Sequence, residues 1–448
     1  MKLTIPSYLY SISVVLFIIV STSGCGRQVV PPPPQPDPSD ILEPVSHTLT
    51  VRIFLDATLS MKGFVVPGPS TLYAQTLQRL ESPAVGGWNT VALRFYKFGT
   101  QVLSLERSAF LRAAVDTDFY LDPEVFRETQ IQKVIDHEDE DKEDPDSTNS
   151  NSTLTVIVTD LFQTDADVTL LVTKLKEKCV RKNLAVGILA LKSQYDGIIY
   201  DVGMNADAFQ YRSNENPESF RPFYLLLLGT HADIAHYFEQ LKLTGLSFSE
   251  EANLMIFSRH LVNPLTSFNQ LTRIHSIQNL KETRRIISSD VKNDQVKQFL
   301  IHGNPLTATF AFSSGYQALP YAISFTPTDL KIEVTAQKHP ENQLVANEGA
   351  ANSIEIHQMP IDTTEISLSV KLSPQSLPGK GIYVYRVVLR PRASAYQMPD
   401  WCSQWDMGTD LQNGSKTLNL NRFLTDLWQA TYQIHQPKMA QFYLYFQK

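Results

Sequence analysis

An α/β domain built on a mostly parallel sheet, followed by a β-rich C-terminal domain, is the fold class this sequence predicts. Three observations predict it. Apolar runs of strand length alternate with helix-patterned stretches between residues 47 and 243. Two of those runs stop abruptly at an aspartate, Asp56 and Asp160. From residue 299 onward the pattern changes to repeated short strands separated by turn residues.

The elements follow in order. Residues 49–55 are β-rich and end at Asp56. Residues 71–80 are helix-like, with apolar side chains at Leu72, Leu77 and Leu80. A second strand spans 90–96. A short third, 101–105, follows Gly99 closely enough to read as an antiparallel hairpin partner. Helical patterns at 108–114 and 123–135 lead to a near-continuous apolar strand at 153–159, which ends at Asp160. An amphipathic helix at 167–182, strands at 184–191 and 223–228, and a helix at 232–241 complete the alternation. Such alternation implies a mostly parallel sheet covered on both faces, with one antiparallel edge strand. Sites in such sheets lie beyond the carboxyl ends of the strands, where Asp56 and Asp160 stand.

The C-terminal half reads differently. Residues 253–257 are strand-like and 271–290 read as polar and partly helical, giving a connecting region over 244–298. Strands at 306–312, 322–325, 330–335, 365–370 and 382–389 alternate with turn residues and suggest a β-sandwich over 299–448. Residues 401–406 form an aromatic cluster around Trp401 and Trp405, either a loop tucked into the core or an exposed platform for carbohydrate or a partner. An amphipathic helix spans 418–434, and 442–446 is a last strand.

Composition bounds the function. The chain has 448 residues, enough for two or three domains, and a net charge of −7 argues against a nucleic-acid partner. The acidic run at 137–144 reads as a solvated loop, since it lacks the glycine of a calcium loop. Three cysteines, Cys25, Cys179 and Cys402, are too few for a disulfide framework. Cys179 and Cys402 either pair or remain two separate buried thiols. His231 and His236 are five residues apart and fall on different sides of a surface helix, against zinc binding. Neither a nucleophile elbow nor a phosphate-cradling glycine loop occurs.

The first 24 residues read as an address. The unbroken apolar run at 14–20 is well short of the about 20 residues a spanning helix needs. It leads through Ser21, Thr22, Ser23 and Gly24 to Cys25. Small residues before that cysteine resemble the lipobox of bacterial lipoproteins, with Thr22 in place of the usual leucine. The resemblance implies that Cys25 is the lipidated first residue of the mature chain. Acyl chains, palmitate among them, would tether it to a membrane of the cell envelope. Gly26, in place of a retention aspartate, favours the outer membrane in an organism that has one. The proline tract at 31–38 would act as a semi-rigid spacer within a 25–46 linker.

One constellation carries chemistry. Asp56, Thr58 and Ser60 place a carboxylate and two hydroxyls at alternate positions just after a central strand, so the three side chains point the same way. Asp160 adds a second carboxylate at the same sheet edge. Oxygen-only ligands suit a hard cation, Mg2+, Mn2+ or Ca2+.

These residues resemble the Asp-x-Ser-x-Ser motif of the von Willebrand factor A (vWA) family, with Thr58 replacing the middle serine and Thr159-Asp160 matching the third loop. The resemblance covers about residues 48–243 and implies a doubly wound vWA-like sheet bearing a metal-ion-dependent adhesion site. Thr129, at the start of a helix, is the candidate from the second loop, with Thr117 as its rival. Leu161 stands where the family often has glycine. The resemblance implies direct coordination by Thr58, Ser60 and Thr129, with Asp56 and Asp160 acting largely through water. An Asp or Glu of a protein partner would complete the shell, without chemistry on the partner. A metal-independent envelope scaffold with a degenerate site is the alternative, and a metal-dependent envelope hydrolase a third.

Overall fold

The computed structural model describes residues 42–140, 152–161, 168–200, 208–246, 253–262, 273–287, 296–339, 350–359 and 365–448, except positions 123, 126, 328, 351, 410 and 411. The expected signal segment, Cys25 and the proline tract lie outside them, as do residues 141–144 of the acidic run and the side chain of Cys179. No helix among the described residues is long and apolar enough to cross a membrane.

The molecule is mixed α/β, with one large sheet and further β-rich sheets. The large sheet has seven strands, β1 (Thr48–Asp56), β2 (Thr90–Phe98), β3 (Val102–Leu105), β4 (Ser152–Thr159), β5 (Ala185–Ser193), β8 (Arg221–Gly229) and β9 (Asn253–Phe257). A hairpin of β6 (Asp196–Ile199) and β7 (Phe209–Arg212) lies between β5 and β8 in sequence. The spatial order is β3-β2-β1-β4-β8-β5-β9. The majority, β1, β2, β4 and β5, run one way, and β3 is antiparallel at the edge as expected.

The expectation of a single antiparallel strand needs correction, because β8 and β9 also run against the majority. The reason is the connection. A parallel crossover needs a dozen or more residues, usually a helix, to return to the starting edge. The chain between β5 and β8 instead makes the β6–β7 hairpin at the same edge. β8 therefore starts beside the end of β5, with Ser193 opposite Arg221. The sheet also uses residues beyond 243, since β9 pairs with β5.

Strand side chains alternate cleanly between two cores. Leu49, Val51, Ile53 and Leu55 of β1 face one side with Leu154, Val156 and Val158 of β4. Phe54 and Ile157 face the other. On the first face pack α1 (Leu59–Lys62), α2 (Leu72–Arg79), α3 (Ser82–Gly87), α4 (Arg107–Arg112) and α7 (His231–Leu243). On the second pack α5 (Ile131–Glu140), α6 (Val168–Leu175) and two helices from far down the chain, α8 (Trp401–Gln404) and α9 (Leu420–His435). Leu420, Phe423, Leu424 and Leu427 of α9 share that core with Leu171 and Leu175 of α6. Strands buried on both faces read as continuous apolar runs, which is why β4, β5 and β8 were recognisable from sequence.

Several local expectations change. Residues 124, 125 and 127–130 are not helical, and α5 begins only at Ile131. The preceding stretch is held against the β2–β3 turn, with Thr100 N donating to the Val125 carbonyl (3.3 Å). The segment expected to be partly helical over 271–290 contains strands at Arg273–Gln278 and Leu280–Glu282, split by Asn279 at φ 59°. Alternation across Ile274 and Ile277 was too imperfect to read, and a bulge interrupts its pairing. His231 is buried, with its ring nitrogens on Ser258 Oγ and the Pro320 carbonyl (both 3.0 Å), so α7 is not simply a surface helix. His236 instead meets the Gly87 carbonyl. Trp401, Cys402 and Trp405 are buried in the second core, which favours the tucked-in reading of that cluster.

The C-terminal strands form a four-stranded and a five-stranded sheet. The first orders Arg273–Gln278, Ala308–Gly315, Glu365–Leu372 and Ile354–Gln358. The second orders Leu280–Glu282, Val296–Ile301, Ala440–Gln447, Ile382–Pro391 and Leu330–His339. Phe310, Phe312 and Leu368 of the first share a core with Phe299, Tyr385 and Phe442 of the second. Phe299 and Phe310 meet at 4.5 Å between ring centroids. The two sheets thus face each other as a sandwich does.

Candidate metal centre

Because β1, β2 and β4 run in parallel, their carboxyl ends open on one edge of the sheet. Asp56 ends β1, and Asp160 follows the last residue of β4. Both carboxylates are fully buried. After Asp56 the backbone turns at once. Asp56 Oδ1 accepts from Thr58 N (3.1 Å), an Asx turn, and α1 begins at Leu59.

Thr58 occupies the N-cap position of α1, yet its side chain makes no cap hydrogen bond. Its hydroxyl donates instead to Asp56 Oδ1 at 2.6 Å. With that proton committed, Thr58 Oγ1 is the acceptor in its contacts with Ser60 Oγ (3.2 Å) and Thr129 Oγ1 (2.9 Å). Asp56 Oδ2 is also within 3.3 Å of Thr129 Oγ1 and accepts from Thr159 Oγ1 at 2.8 Å. As whole residues Thr58, Ser60 and Thr129 keep a little exposure, 3%, 6% and 4%, while both aspartates have none. The residues that carry the three hydroxyls thus lie slightly nearer the surface than the two aspartates.

Thr129 reaches the cluster from the segment just before α5. That segment approaches closely because Gly99 has no side chain: a Cβ there would stand 1.9 Å from the Val125 carbonyl oxygen. Thr117, the rival candidate, belongs to the 3-10 turn Thr117–Leu121. The structure thus brings Asp56, Thr58, Ser60 and Thr129 into one hydrogen-bonded group.

Leu161 has φ 57°, a left-handed conformation that favours glycine. For a leucine this costs about 1–2 kcal/mol. Its side chain is buried in the second core, and burying a leucine contributes about 1.5–3 kcal/mol. The strain is offset by packing.

Asp160 meets a residue the sequence reading did not single out. Arg221 Nη2 donates to Asp160 Oδ2 at 3.0 Å, and the arginine side chain is only 4% exposed. Arg221 Nη1 reaches the Gly414 carbonyl at 3.4 Å, and the guanidinium lies 5.2 Å from the ring centre of Tyr195. Tyr195 in turn donates to the Ser60 carbonyl at 3.0 Å. Arg221 is at this edge because β8 runs backwards. A parallel β8 would begin at the opposite edge. The available signal was an arginine opening an otherwise apolar strand.

Burial first, and then the charge of Asp160, push the Asp56 carboxyl up to about 7, against the stabilising hydrogen bonds from Thr58 and Thr159. A cation at the mouth would oppose both raising effects.

No family model and no curated protein matches this chain. The site is therefore read from its own geometry. Among the described residues no three His, Cys, Asp or Glu side chains converge as metal ligands, which points away from the nitrogen and sulfur sets of zinc. Hard cations need only oxygen. Adjacent ligands on an octahedral Mg2+, at about 2.0–2.1 Å from the ion, stand about 2.9 Å from one another. The 2.9 and 3.2 Å spacings around Thr58 Oγ1 are close to that edge length. The donor set fits a hard divalent cation.

Proposed function

We propose that this chain is a vWA-like adhesion module that binds an acidic group of a protein partner through a divalent cation. The observation that carries the reading is the convergence of the Thr58, Ser60 and Thr129 hydroxyls in front of Asp56. Asp56 holds the Thr58 proton, so that oxygen presents its lone pairs to the other two hydroxyls. Thr159 anchors the far oxygen of Asp56 and keeps the carboxylate from rotating. Thr58, Ser60 and Thr129 would hold Mg2+ or Mn2+, with Asp56 and Asp160 behind. When bound, the cation supplies the positive charge that an Asp or Glu carboxylate from the partner complements. Neutral hydroxyls at the mouth favour recognition over hydrolysis, since metal-activated water usually relies on richer His or carboxylate sets. On this reading the chain is a lipoprotein, tethered to a membrane of the cell envelope through Cys25.

One observation favours a second reading. Arg221 already neutralises Asp160, as it would in a metal-independent scaffold with a degenerate site. Calorimetry separates the two. Titrating MgCl2 and MnCl2 into the full-length protein should give saturable binding, weakened at least tenfold in Thr58→Val, which replaces the hydroxyl by a methyl of similar size. Absence of cation-dependent heat in the parent would select the scaffold.

A further inference from the structure

Arg221 is built into this edge from several sides. It is buried, ion-paired to Asp160, hydrogen-bonded to the Gly414 carbonyl and placed beside the Tyr195 ring. The Gly414 contact is close-fitted too, since a Cβ on that glycine would stand 2.2 Å from the Tyr211 ring. A guanidinium held this way is a permanent feature of the centre.

Its consequence is electrostatic. Asp56 and Asp160, when ionised, carry two negative charges, and Arg221 returns one positive charge next to them. A divalent cation entering that group leaves a net positive charge in a buried setting, where charge imbalance is costly. Without the arginine the same entry would end neutral. The surplus is removed when a carboxylate binds at the mouth.

We propose that Arg221 makes cation capture at this centre conditional on an acidic ligand, so that cation and carboxylate bind with positive cooperativity. The proposal rests on the metal-dependent reading above. Arg221 is here a positioning and charge-setting residue, acting through Asp160. By linkage, the factor by which a carboxylate strengthens cation binding equals the factor by which the cation strengthens carboxylate binding.

The test is calorimetric titration of MnCl2 into the full-length protein, alone and in a saturating sodium acetate background, with ionic strength matched by sodium chloride. The parent should bind Mn2+ weakly alone and at least tenfold more tightly with acetate. Arg221→Gln, which keeps a donor within reach of Asp160, should bind Mn2+ at least tenfold more tightly than the parent without acetate and gain little from it. Arg221→Lys, which keeps the charge, should retain the acetate dependence. If Arg221→Gln folds poorly, the thermal midpoint replaces the heat: Mn2+ should raise it more in the variant than in the parent. Equal Mn2+ affinity in parent and Arg221→Gln, with the same acetate effect, overturns the role of Arg221 and leaves metal binding standing. No Mn2+ binding by any of these proteins, with or without acetate, overturns the metal reading itself.

Discussion

Replacing Arg221 with methionine lowers the stability of the protein by about 3–5 kcal/mol, the cost of removing one partner from a buried ion pair. Asp160 is fully buried, and its carboxylate faces the Arg221 guanidinium at 3.0 Å. Methionine fills much of the volume but leaves that charge without its compensating cation. The double variant Arg221→Met with Asp160→Asn removes both charges and should recover a large part of the loss, since a buried pair replaced as a unit is often close to neutral. Urea unfolding of the parent, both single variants and the double variant measures this. A single Arg221→Met variant within about 0.5 kcal/mol of the parent, the range of ordinary surface substitutions, would show that the pair is not the buried contact described here.

The second large effect is a pH dependence centred on Asp56. In the unfolded chain an aspartate titrates near 3.9. In the folded protein, burial and then the charge of Asp160 push Asp56 up to about 7. The folded state therefore binds more protons than the unfolded state between those values, and stability falls as pH rises through that window. The contribution is fully present below about pH 4 and is lost above about pH 7, a swing of up to about 4 kcal/mol at 1.36 kcal/mol per pH unit. Urea unfolding in EDTA at pH 5 and pH 8 should show it. Asp56→Asn should lack most of this dependence, because its amide does not ionise. Added Mg2+ should reduce the pH 8 loss in the parent and leave Asp56→Asn unchanged. A parent whose stability is flat or rising over that interval in EDTA would count against a strongly buried Asp56.

What could be read from the sequence is what is local. Asp56, Thr58 and Ser60 are neighbours at the end of one apolar strand, and a turn after a strand leaves few places for alternate side chains to go. Asp160 was visible for the same reason. Thr129 was accessible as the opening of a helix, although the helical pattern read over 123–135 gives a helix only from Ile131. Arg221 was not accessible. It lies 61 residues from Asp160, and their pairing depends on the direction of β8. That direction was decided by the β6–β7 hairpin, whose weak strands are only four residues each. One sign is present in the sequence: the chain between the strands at 184–191 and 223–228 carries no helical pattern, and a parallel return rarely manages without one.

The layers show the same divide. The well-buried strands of both halves stood out because burial on one or both faces imposes a pattern on consecutive residues, while short or irregular ones such as Arg273–Gln278 and Leu280–Glu282 did not. The helix α9 also had a clear amphipathic pattern, but nothing in that pattern names the surface it covers. It packs across from α6, on the sheet that begins at residue 48. Long-range packing of this kind is set by which apolar faces remain uncovered once local structure has formed, and a single helix carries no record of that. Gly99 is a smaller case. Its lack of a side chain allows the Thr129 segment to approach, a role defined only by its neighbours in space.

Diffraction from a crystal of the protein soaked in MnCl2, collected for the anomalous signal of manganese, tests the metal-dependent reading most directly. An anomalous peak bordered by Thr58 Oγ1, Ser60 Oγ and Thr129 Oγ1, and lost in Asp56→Ala crystals, is the predicted result. A site left without manganese even with saturating sodium acetate in the soak, at a concentration that saturates other surface positions, would contradict it.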